Sequence, residues 1–127
     1  MFAMMARGAA IGCALALSVA AAAAQQYPNR PIKFVQGFVA GGNADAITRV
    51  LGAELSKSLG QPVISEARVG AGGNIAAEQV ARGEPDGYTL LLATTAHVVS
   101  PALYKKLNYD PVNDFAFISS VTNVPFL

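Results

Sequence analysis

The residues with the most chemical promise fall in three short stretches, 38–45, 68–74 and 94–100. The first runs Phe38, Val39, Ala40, Gly41, Gly42, Asn43 and on to Asp45; the second holds Gly70, Ala71, Gly72 and Gly73; the third holds Thr94, Thr95 and His97. Glycine lets the main chain approach a guest and turn its N–H groups inward. A helix that starts just after such a turn adds partial positive charge at its first residues. The guest such an arrangement expects is an anion. Gly41 and Gly42 alone make an ordinary strand-to-helix turn, and it is the second glycine-rich loop, at the equivalent place in the next unit, that shifts the reading toward a site. Asp45 has two readings, as a complement to the helix dipole or as a group that orients a ligand's amino or hydroxyl group. Thr94 and Thr95 either carry hydroxyls to the cleft edge or satisfy nearby backbone groups. His97 is the only histidine and reads more simply as a hydrogen-bonded loop residue than as a catalyst.

Neither glycine loop is a nucleotide signature. A phosphate-binding loop needs Gly-Lys-Ser/Thr after its glycines, whereas Gly42 is followed by Asn43 and Gly73 by Asn74. The dinucleotide pattern would need glycine where Ile75 stands. Ser100 and His97 are near in sequence, but no orienting acid or nucleophile elbow accompanies them. One histidine without a cysteine partner gives no metal cluster. The residues therefore predict binding without chemistry, with no catalytic residue, no metal and no cofactor. The reading from another class is an exported α/β enzyme whose catalytic residues lie elsewhere.

Strands alternating with helices must position the three loops. Pro31 opens an apolar run over residues 32–38, rich in β-branched and aromatic side chains, which predicts a buried strand. From Ala44 the period turns helical, with Ile47, Val50, Leu51, Leu55 and Leu59 on one face, and Gly60 and Pro62 end it. Residues 63–66 predict a second strand, 75–82 a helix closed by Gly83, and Pro85, Asp86 and Gly87 a turn. Residues 88–93 are so uniformly apolar that this third strand is expected to be central and covered on both faces. Ser100 before Pro101 predicts a short helix over 101–107, and residues 115–121 predict a further strand. The class is α/β with a parallel sheet. All three loops then follow strand C-termini along one sheet edge, where open α/β sheets bind their ligands.

The opening residues belong to no fold. Arg7, the apolar run over residues 8–19 and the small residues from Ala20 to Ala24 read as a secretory signal peptide, residues 1–24. Its removal takes away Cys13, the only cysteine, and leaves no thiol or disulfide chemistry. Losing Arg7 lowers the basic count from 9 to 8 against 8 acidic residues, so the formal charge falls from +1 to zero. The remaining cations are scattered, with only Lys105 and Lys106 adjacent. Nucleic acid needs a clustered basic surface and is excluded as a partner. No apolar run after Ala24 approaches the roughly 20 residues of a membrane span. Residues 25–120 are expected to form part of one lobe. The apolar stretch 121–127 reads as the start of a strand crossing to a second lobe.

Ordered motifs run through the whole mature chain: Tyr27, Pro28, Arg30, Pro31, Ile32; Phe38, Ala40, Gly41, Gly42, Asp45; Gly60, Gln61, Pro62, Val63; Gly70, Ala71, Gly72, Gly73, Asn74. They continue with Pro85, Asp86, Gly87, Tyr88, Thr89, Leu90 and with Leu103, Tyr104, Tyr109, Asp110, Pro111, Asp114 and Phe115. In these residues the chain resembles the Bug family, the periplasmic substrate-binding components of tripartite tricarboxylate transporters. The sequence departs from the family at Gln36 and Gly37, where valine and proline are frequent, and at Val39, where proline is common. The resemblance implies a two-lobed periplasmic binding protein, type II-like, monomeric, that grips a small-molecule carboxylate between lobes and serves membrane transporter subunits. It implies a carboxylate held by the loops around Ala40 to Gly42 and Ala71 to Gly73, partly through ordered waters, with the loop from Thr94 to His97 also lining the cleft. A ligand-binding component of a signalling receptor is a further reading. A lobe without its partner would lack the groups that exclude water from the guest, and no tight binding is expected of it alone.

Overall fold

The structure is a computed structural model and describes residues 27–123. The expected signal peptide, and residues 124–127 of the expected crossing strand, lie outside the described residues. β1 (Ile32–Gln36), β2 (Val63–Ala67) and β3 (Thr89–Leu92) form one parallel sheet in the order β2-β1-β3. Helix α1 (Asn43–Leu59) joins β1 to β2, α2 (Asn74–Ala81) joins β2 to β3, and α3 (Thr95–Leu103) follows β3. The chain steps from β1 to β2 on one side, then back across β1 to β3. Parallel crossovers are right-handed, so this reversal places α1 and α2 on opposite faces of the sheet. β1 is therefore covered twice: Ile32, Phe34 and Gln36 on one face and Val35 on the other are at most 6% exposed. Ala76 and Ala77 bring α2 against this strand and complete the core.

The face that α1 lays on the sheet differs from the apolar stripe expected of it. Ile47, Leu51, Leu55 and Leu59 are half-buried and Val50 is 66% exposed, while the buried centre of the face is Asp45, Thr48 and Gly52. The contact is made of short and polar residues that bond to β2. Thr48 Oγ1 pairs with Ser65 Oγ at 2.8 Å, and Ser56 Oγ accepts the Val63 N–H at 2.8 Å. At Gly52 the helix comes so close that an added Cβ would stand 3.5 Å from the Val63 side chain and carbonyl. Gly60 ends the helix at φ 68°, its N–H bonded to Ser56 O, as the glycine-then-proline pattern predicts.

Three further expectations are corrected. β3 is an edge strand among the described residues and β1 is the central one, with all four β3 residues only half-buried. Helix α3 starts directly after β3 with Thr94 as its cap, so Ser100 and Pro101 lie inside it instead of opening it. Ser100 is held there by tertiary bonds, donating toward Ala96 O and Asn74 Oδ1 at 2.7 Å each, which override the capping pattern. Residues 115–123 form no strand. Phe115 packs its ring edgewise on His97 and Tyr109, while Phe117 and Ile118 stand 68% and 81% exposed without a ladder partner among the described residues. Strand propensity measures packing against a neighbour and does not create one.

Gly52 tests the α1–β2 contact. Gly52→Ala adds a methyl at ordinary contact distance and removes glycine's helix penalty, so urea denaturation should show a gain of up to about 1 kcal/mol. Gly52→Leu should cost about 1–3 kcal/mol by overpacking; equal stability of the two variants would contradict the close approach.

Candidate functional site

Because all three strands run parallel, their C-terminal ends share an edge, and the loops after them meet there. Helix α2 must pass back over β1 on its way to β3, which brings its start onto the end of β1. The approach is as close as two main chains allow: a Cβ on Gly37 would lie 2.4 Å from Gly73 Cα. The Phe38 ring covers Gly73 from the other side, 3.8 Å from where a Cβ would project. Between these loops and the start of α3 lies a hollow of about 10 Å³, bordered by Gly37, Phe38, Gly72, Gly73, Asn74, Thr94 and His97. That is about the room one water-sized oxygen requires.

Each loop is braced from beneath. Gln36, fully buried, accepts the Phe38 N–H at its Oε1, 2.7 Å away, and curls the chain away from β1. Asp45 Oδ2 accepts the Gly41 N–H at 2.9 Å and the Arg49 Nε–H at 2.9 Å, and Ser65 Oγ reaches Oδ1 at 3.4 Å. The Gly41 N–H first, then Arg49, hold the Asp45 carboxyl below its ordinary 3.8. In the second loop Gly73 N–H closes a turn on Gly70 O at 2.9 Å, and Ala71 itself adopts φ 46°, a left-handed backbone that costs a non-glycine residue free energy. In the third, His97 is 6% exposed and its Nε2 lies 2.9 Å from the Pro111 carbonyl, so Nε2 carries the proton. The ring stacks on Tyr109 with centroids 5.8 Å apart.

These bonds shift the donors along the chain. The N–H groups of Gly41, Gly42 and Gly73 are spent within their own turns, on Asp45, Val39 and Gly70. The first N–H groups of a helix have no intrahelical acceptor. Those of Asn43 and Ala44 in α1, of Ala71 and Gly72 ahead of α2, and of Thr95 and Ala96 in α3 find no partner among the described residues. The glycines shape the turns, and the residues beside them carry the open donors.

Residues 47–127 match the profile described as the tripartite tricarboxylate transporter family receptor. The chain belongs to this receptor family. A UPF0065 protein of Bordetella bronchiseptica is 49% identical over 112 residues, which cover 87% of this chain and 33% of the relative. MatC of Rhodopseudomonas palustris with bound malate superposes with a TM-score of 0.67 at 42% identity, over 70% of this chain and 31% of that one. An R. palustris protein with adipate gives 0.64 at 37% identity, over 67% and 29%. The chain thus spans about a third of the length of the receptor-family relatives it matches. The resemblance seen in the motifs and the parallel α/β class both stand. Among the described residues no helix is long and apolar enough to cross a membrane, and no group of potential metal ligands occurs.

Of the residues singled out in the sequence, Phe38, Gly72, Gly73, Thr94 and His97 border the hollow. Ala40, Gly41, Asn43, Ala71 and Thr95 are exposed and do not border it, Gly42 is half-buried, and Asp45 is buried and holds the first loop through Gly41. Sequence reasoning missed Gly37 and Asn74. Gly37 carried a signal as a glycine directly after the strand run, where a Cβ would collide with Gly73. Asn74, a buried polar residue directly after a diglycine, carried one as well.

Two measurements follow. Gly37→Ala should force the first and second loops apart, lowering stability by about 1–3 kcal/mol and displacing the Gly73 and Thr94 amide resonances; unmoved resonances would refute the contact. Asp45 and Asp110 are both held below 3.8, Asp110 by the Asn113 backbone N–H first and then by the Asn113 side chain. Depressed carboxylates stabilise the fold fully above their unfolded value and lose that contribution as pH falls toward their folded values. Unfolding midpoints below pH 3.8 should therefore fall less steeply in Asp45→Asn than in wild type, and less again when Asp110→Asn is added. An unchanged slope in Asp45→Asn would show its carboxylate to be unengaged.

Proposed function

We propose that this chain is the first lobe, over residues 25–120, of an exported periplasmic solute-binding protein that captures small organic carboxylates and hands them to a membrane transporter without transforming them. The observation that carries the reading is the meeting of the end of β1 with the starts of α2 and α3 at one hollow, held together by the Gly37–Gly73 contact. Open main-chain donors at Asn43, Ala44, Ala71, Gly72, Thr95 and Ala96 suit a negatively charged oxygen. Relatives of the same fold hold malate and adipate, two acids that share carboxylates and little else. In this reading residues 1–24 direct export and are removed, and 121–127 begin the crossing to a second lobe that closes over the guest. The ligand-binding set is Phe38, Ala40, Gly41, Gly42, Asn43, Asp45, Ala71, Gly72, Gly73, Thr94, Thr95 and His97. Asp45 acts in it by fixing Gly41.

Thermal unfolding of the complete two-lobed protein with a panel of di- and tricarboxylates tests this. A ligand that binds only the folded state stabilises it by about 2.7 kcal/mol at a hundred times its dissociation constant. Malate or adipate should raise the midpoint in a concentration-dependent way and be recovered unchanged. Absence of any rise across the panel, or conversion of the acid to product, would refute the binding role.

A further inference from the structure

The hollow has one polar side chain on its border whose bonding is incomplete. Asn74 is 8% exposed, opens α2, and its Oδ1 receives the Ser100 hydroxyl at 2.7 Å and the Tyr109 hydroxyl at 2.8 Å. Burial holds the Tyr109 phenol above its ordinary 10.0, so it keeps the proton it donates. The Tyr109 hydroxyl donates to Oδ1, and Ser100 shares its one proton between Oδ1 and Ala96 O, so the amide oxygen faces these two side chains. The other end, Nδ2, is buried and has no hydrogen-bond partner. Buried polar groups in native proteins are almost always paired, and an exception calls for an explanation. The only other such side-chain atom among the described residues, Gln36 Nε2, belongs to a residue that does not border the hollow.

We propose that Asn74 is a ligand-contacting residue whose Nδ2 donates to one carboxylate oxygen seated in the hollow beside Gly37, Gly73 and Thr94. The proposal rests on the carboxylate-binding reading and adds a side-chain donor to a site otherwise built from main chain. The room of about 10 Å³ admits one oxygen atom and not a larger head group. The amide cannot rotate to offer its oxygen instead without stranding the Tyr109 proton. Asn74 thereby selects for an oxygen that accepts, a carboxylate, against a group that donates, such as an ammonium or a protonated amide. Ser100 and Tyr109 act through Asn74 as positioning residues.

Titration of the complete two-lobed protein, without residues 1–24, with malate, followed by 1H–15N NMR, reads this directly. The side-chain NH2 pair of Asn74 should shift saturably, together with the backbone amides of Gly72 and Thr95. Asn74→Asp keeps oxygens for Ser100 and Tyr109 but turns the donor into a charged acceptor, and should weaken malate binding by about tenfold or more. If the loop amides respond while the Asn74 NH2 pair does not, the hollow holds water only; this outcome, or wild-type affinity in Asn74→Asp, overturns the Asn74 assignment and leaves the carboxylate reading standing. No response to malate or adipate anywhere in the wild-type spectrum overturns both. Should Asn74→Asp fail to give a folded spectrum, the wild-type NH2 pair decides alone.

Discussion

Two main chains touch at Gly37 and Gly73, and the geometry of the whole sheet edge depends on that touch. A side chain at Gly37 would occupy the position of Gly73 Cα, so the absence of a Cβ there lets α2 begin directly over the end of β1. The strand order forces the meeting, because a chain that goes from β1 to β2 and then to β3 must carry its second crossover back over β1. With the crossing fixed, the hollow, the clustering of helix starts and the burial of Asn74 follow from where the backbone has room.

The bracing of the loops determines which groups remain available for a guest. Asp45 is negative and sits at the start of α1, where it would repel an anion if its charge were open. Its oxygens are instead occupied by the Gly41 N–H, by Arg49 and by Ser65, so the charge is balanced from within the loop's own support. The carboxylate acts as an internal rehearsal of what the site is proposed to bind. It fills the donors that shape the turn and leaves the neighbouring ones, at Asn43 and Ala44, directed by the helix and unspent.

The sequence was most legible where local patterns and tertiary contacts agree. β1, α1, β2 and α2 were placed within a residue or two because glycine and proline punctuate them and their runs keep one period throughout. The chain was least legible where tertiary partners decide. Ser100 with Pro101 has the local form of a helix start, but Ser100 is held mid-helix by Asn74 and Ala96 O. Residues 115–121 have the composition of a strand and lack a ladder partner among the described residues. In α1 the expected stripe was displaced because Thr48, Gly52 and Ser56 approach β2 more closely than Val50 could. For the site, the loops and their glycines could be read, and the identity of the open donors could not. Which N–H group is spent on Asp45 Oδ2 or Gly70 O is a matter of tenths of an ångström that spacing does not encode.

A site made of main-chain donors recognises a carboxylate by charge and by little else, since every residue type supplies the same N–H. That suits a family whose solved members hold acids as unlike as malate and adipate. In the proposed reading the shared part stays fixed in this lobe while discrimination by length and substituent is left to other surfaces. Of the side chains that border the hollow, those of Phe38, Ala77, Leu91, Leu92 and Ala93 are apolar, Thr94 carries a hydroxyl, the Nε2 of His97 is committed to Pro111, and Asn74 has an amide whose buried Nδ2 lacks a partner. In the proposed assignment the polarity of Nδ2 sets the sign of what can enter. The amide is oriented by hydroxyls from α3 and the following loop, which in that assignment take part in recognition without touching the guest.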